Sequence, residues 1–148
     1  MANEEEDNDI NIEYFLKSLD NDRNLSVSKL TYDKINNMKY NSLMSLQMTH
    51  DEIEPIILKL SNYRVIHEIQ DFVHGAYIRH IPKNKTPIML KNGGFLCDIK
   101  INTDGIHILC RNQFKKIFQL RFDDVLIFQA LTRQEELILK VFERLSHI

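Results

Sequence analysis

From Tyr63 to Leu131 the chain runs as short stretches of branched and aromatic residues alternating with polar ones. They are cut by turn signals at Pro82 to Asn84, Asn92-Gly93-Gly94, Asn102 to Gly105 and Asp123-Asp124. A period of two marks strands with one buried face. It predicts strands at 64–70, 76–81, 87–91, 94–102, 106–112, 115–122 and 125–130. Consecutive short strands leave exposed edges and an uncovered face unless the sheet curls. The expected fold is therefore α+β, with a small antiparallel β-barrel of the SH3-like or Sm-like kind over residues 63–131.

Helical spacing flanks this region. Ile12, Phe15, Leu16 and Leu19 fall on one helix face, and a second helix starting near Thr31 carries Ile35, Met38, Leu43, Met44 and Leu46. A third carries Ile53, Ile56, Ile57 and Leu60, with Thr49 and Glu52 spaced as a capping box. Pro55 argues against so early a start, because it donates no N–H, so the regular helix is expected over about 54–62. At the other end Thr132-Arg133-Gln134-Glu135 is a second capping box, followed by the stripe Leu137, Ile138, Val141, Phe142 and Leu145. The expected organisation is an acidic tail over 1–9, helices over 10–62, the barrel over 63–131 and a helix over 132–148 packed on the barrel. The acidic opening MANEEEDND, with no basic start and no apolar stretch, predicts no secretory signal. No apolar run is long enough for a membrane span, so an intracellular, non-secreted protein with reduced thiols is expected.

The hairpin around Asn102 to Gly105 carries both cysteines. A two- or four-residue loop pairs Ile101 with Ile106, Ile99 with Ile108 and Cys97 with Cys110, placing both thiols on an apolar face. A bulged three-residue loop instead sets Cys97 against Arg111 and mixes polar with apolar neighbours on both faces, which disfavours it. Core thiols are the expectation, because two cysteines without further ligands do not make a zinc site.

Two other constellations fail on their chemistry. Asp20-Asn21-Asp22-Arg23-Asn24-Leu25-Ser26 opens like a calcium-binding EF-hand loop, but Leu25 stands where glycine makes the sharp turn and Thr31 where a bidentate glutamate closes the site. The six histidines show no metal-ligand spacing, and no nucleophile motif or phosphate-cradling glycine loop is present. The expectation is a non-enzymatic protein without metal or cofactor.

Charge is the remaining signal. Residues 1–74 carry seven Lys/Arg and fourteen Asp/Glu, a balance of −7, while 75–131 carry nine and four, a balance of +5. The two regions either complement one another or the basic one faces a polyanion. Arg79, Lys83, Lys85 and Lys91 flank the early strands and Arg111, Lys115, Lys116 and Arg121 the later ones, interleaved with Tyr77, Phe114, Phe118 and Phe122. Small barrels bind nucleic acid by joining a positive groove to aromatic faces, and these eight basic residues are the candidate nucleic-acid surface.

The runs GAYIRHI (75–81), LKNGGFL (90–96) and FDDVLIFQAL (122–131) resemble small β-rich proteins of large DNA viruses of protists. The resemblance implies a viral accessory, virion or host-interaction protein, acting in the cytoplasm or virion of an infected cell. Together these features give the expected function as a non-enzymatic protein-interaction or structural module, docking on a protein partner or a second copy. The alternative is a nucleic-acid-binding barrel.

Overall fold

The computed structural model describes residues 11–147, and the acidic stretch 1–9 lies outside them. They divide into two compact units: Ile35–Leu131, and the two chain ends, up to Lys34 and from Thr132.

The unit of the chain ends contains helix α1 (Ile12–Asp20), two 3-10 turns (Asp22–Asn24 and Val27–Lys29) and the C-terminal helix Arg133–Ser146. In it Phe142, from the apolar stripe of the last helix, meets Phe15 edge-on at 6.2 Å between ring centroids. The Asn21 and Asn24 amides both donate to Gln134 Oε1, at 3.0 and 2.9 Å. The loop that begins like a calcium site therefore has two of its polar side chains engaged by a neighbouring helix. Thr132 and Glu135 form the expected capping box, each side chain satisfying the other's backbone N–H.

In the Ile35–Leu131 unit, helices α2 (Tyr32–Met44) and α3 (His50–Lys59) precede six strands. These are β1 (Tyr63–Ile66), β2 (Tyr77–Pro82), β3 (Lys91–Asn102), β4 (Gly105–Arg111), β5 (Ile117–Arg121) and β6 (Val125–Ala130). The C-terminal helix is α4. Helix α3 starts at His50 rather than near Glu54, because the Thr49–Glu52 capping box fixes its first turn despite Pro55. The carbonyl four residues before Pro55, the acceptor that Pro55 cannot donate to, belongs to Asp51, an exposed residue of the first turn. Buried Lys39 closes the other end, its Nζ donating to Leu60 O at 2.8 Å. A cation is favourable at the negative pole of a helix, though burial holds the Lys39 pKa below its ordinary value.

All six strands pair antiparallel, in the order β1-β6-β2-β3-β4-β5. The α+β class is as expected; the barrel is not, since the sheet is open, with β1 and β5 as its edges. Strand β6 returns between β1 and β2, and apolar side chains on the sheet's faces remove the need for closure. Val65, Ile81, Leu126 and Phe128 join Leu43, Met48, Ile53 and Leu60 in one buried cluster. Ile66, Ile78, Leu96, Ile108, Cys110, Val125 and Ile127 form a second, flanked by Phe72, Phe118 and Phe122.

The segment 87–91 is not a strand of its own: residues 87–90 fall outside the ladder, while Ile88 and Leu90 pack on the first cluster. Nor is Asn92-Gly93-Gly94 a turn, since it lies within β3. A Cβ at Gly93 would overlap the Ile78 carbonyl, and one at Gly94 the Arg111 carbonyl. These glycines let neighbouring backbones approach, a use distinct from turning the chain.

Candidate nucleic-acid interface

The hairpin β3–β4 has the two-residue loop read from its sequence, with Ile101 opposite Ile106 and Ile99 opposite Ile108. Beyond them the register shifts. A bulge between Leu96 and Asp98 makes Cys97 the extra residue, so Cys110 faces Leu96 and the expected Cys97–Cys110 pair does not form. Both thiols are free. Burial, followed by the neighbouring Cys97, pushes the Cys110 thiol up to about 12, so it stays protonated near neutral pH. Among the described residues no group of three or more His, Cys, Asp or Glu is arranged to hold a metal ion.

A cleft of about 460 Å³ opens where β2, the start of β3, β5 and the turn before β5 converge. That lies within the ~300–1,000 Å³ typical of small-ligand sites. Lys85, from the loop after β2, and Lys91, opposite His80 across the β2–β3 ladder, supply positive charge. Tyr77, Phe114 and Phe118 supply aromatic walls, and Asn92, Asn112 and Gln113 supply carboxamides. Tyr77 also meets the half-exposed Phe95 ring edge-on at 5.2 Å between centroids.

Asn112 builds the rim. Its Oδ1 accepts from the N–H groups of Phe114 and Lys116 at 2.9 and 3.0 Å, and its own N–H donates to Lys116 O at 2.9 Å. Lys115 completes the turn in the left-handed region at φ 62°. The Phe114 ring is thereby held at the mouth of the cleft, 72% exposed.

His80 lies in the wall, its ring 6.4 Å from that of Phe118 and its Nδ1 buried without a hydrogen-bond partner. Burial first, then the charges of Lys91 and Lys85, lower its pKa to about 4. The imidazole is therefore neutral near pH 7. The unfolded chain takes up this proton near the ordinary value of about 6.5, so stability is expected to be level above that pH. It should fall as pH drops from there toward 4. Comparing the thermal midpoints of the parent and His80→Gln at pH 7 and pH 5 checks this: the parent should lose more. Equal losses would remove His80 as the cause.

The eight basic residues predicted as a surface do not share one. Lys85 and Lys91 line the cleft, and Lys115 and Lys116 sit in the turn that carries Phe114. Lys83 is exposed in the loop after β2, its N–H bonded to Asp124 O. Arg111 and Arg121 alternate with Cys110 and Leu120 and so point to the other side of the sheet from Phe118. The Arg121 guanidinium donates to Asp104 O at 3.0 Å. Arg79 is half-buried opposite Phe128 and alternates with His80, away from the cleft. Asn112 and His80 escaped the sequence reading, although an asparagine leaving a strand is a turn signal.

No family model, curated protein or solved structure matches the chain.

Proposed function

We propose that the chain is a binding module that takes single-stranded nucleic acid in the cleft between β2, β3 and the β4–β5 turn, without catalysis. The observation that carries this reading is the joint presence of Lys85 and Lys91 beside Tyr77, Phe114 and Phe118 in one cavity. Lysines meet the phosphates, aromatic rings stack on bases, and the carboxamides meet base edges. Stacking on exposed Phe114 requires an unpaired base, which favours single strands over duplexes. Because every base has a π-face, the reading implies weak sequence preference. Under it the chain is an accessory protein of a large DNA virus, the origin implied by GAYIRHI, LKNGGFL and FDDVLIFQAL.

Phe114→Ala tests the stacking element with little effect on the fold, since the ring is exposed. Loss of one stacked base weakens binding by about 1–3 kcal/mol, or roughly 5- to 150-fold. A Phe114→Ala variant with unchanged affinity for a labelled oligothymidine would remove the stacking role.

A second reading, a protein-docking module, is favoured by the open sheet edge at β5.

A further inference from the structure

Among the described residues strand β5 has a neighbour on one side only, β4. Because Asn112 N–H bonds Lys116 O, alternation makes Cys110–Phe118 and Ile108–Leu120 the pairs that exchange backbone hydrogen bonds with β4. The N–H and C=O groups of Ile117, Gln119 and Arg121 therefore point away from the sheet. We propose that a second copy of this chain pairs antiparallel along this edge, with Gln119 on the two-fold axis. The proposal deepens the protein-docking reading and is independent of what occupies the cleft.

Parity selects the register, because outward-pointing residues must oppose outward-pointing residues. Centring on Gln119 sets Ile117 against Arg121 of the partner subunit, and every outward backbone group of the strand then finds a partner. Moving the axis to Phe118 leaves Arg121 beyond the end of the partner strand, on the side where Lys115 of the partner subunit adds a like charge. Moving it to Leu120 leaves Ile117 beyond the end of the partner strand. Lys115 and Asp123 lie outside the strand, in the turns that precede and follow it, so with the axis at Gln119 opposite charges flank each end of the new ladder. Half-buried Phe118 then opposes Leu120 of the partner subunit and extends the second apolar cluster across the axis. The strand carries no proline to block pairing.

Sedimentation equilibrium of the full chain from low micromolar to near-millimolar concentration tests this. A monomer–dimer equilibrium is expected. Gln119→Pro removes an outward backbone N–H and no backbone bond to β4, with the loss of the side-chain bond to His107 Nδ1, and should shift the chain to monomer. Lys115→Glu and Asp123→Lys should each weaken the dimer, and the double exchange should restore it. If Gln119→Pro fails to give the parent circular dichroism spectrum, the charge exchange decides alone. A monomer at every concentration, or a dimer indifferent to the charge changes, overturns the proposal.

Discussion

Gly93→Ala and Gly94→Ala are expected to be the most damaging single-methyl additions in the chain. Each new Cβ would meet a carbonyl of an adjacent strand: Ile78 for Gly93, Arg111 for Gly94. Both obstacles are backbone, so no rotamer change relieves the overlap and the ladder itself must part. Strained core substitutions of this kind cost about 3–5 kcal/mol, a large share of the ~5–15 kcal/mol that holds a domain folded. Gly75 is the internal control, because its φ of +86° strains an added side chain but no atom lies within 4 Å of the added Cβ. Gly75→Ala should therefore cost only about 1 kcal/mol. Urea midpoints of the three variants check the ranking. A Gly93→Ala midpoint equal to that of Gly75→Ala would show that β2 and β3 are not so closely apposed.

Reversing the cleft charges should have the largest effect on binding. In Lys85→Glu/Lys91→Glu two phosphate contacts become repulsive, while both side chains are exposed and leave the core untouched. Affinity for a single strand is expected to fall by at least about 100-fold at low salt, and the slope of log affinity against log salt to decrease by about 1–2. Arg111→Glu/Arg121→Glu is the matched control, with the same change of net charge on the other side of the sheet. It should cost less than about tenfold, through long-range attraction alone. Equal losses in the two pairs would make binding a matter of net charge and not of the cleft.

Local codes were the most legible part of the sequence. The Thr132–Glu135 box announces its helix start because partners three residues apart satisfy one another without help from the rest of the fold; the Thr49–Glu52 box does the same in the structure, but Pro55 moved the expected start to about residue 54. The Asn102–Gly105 loop fixes its own register for the same reason, as far as Ile99. Features that depend on distant backbone were not legible. Cys97 is displaced by a bulge, Gly93 and Gly94 serve strand contact where a turn was read, and β6 lies between strands that alternation alone cannot assign to it. The barrel expectation assumed that exposed edges force closure, whereas this sheet buries apolar side chains in two clusters and keeps β1 and β5 as edges.

The candidate site divides in the same way. Composition located a basic, aromatic region, but strand parity decides which side chains share a face. It separates Arg79, Arg111 and Arg121 from Lys91, and the loop after β2 brings Lys85 to the same cleft. The cleft also depends on Asn112, whose side chain shapes the turn that presents Phe114.

The central claim is that this cleft holds single-stranded nucleic acid, and a fluorescence-anisotropy titration tests it most directly. The purified chain would be titrated into a labelled oligothymidine, and separately into a labelled duplex, at low and near-physiological salt. Micromolar or tighter binding to the single strand, weaker binding to the duplex and a steep loss of affinity with salt are predicted. No binding to the single strand at low salt, or equal binding to both, would contradict it.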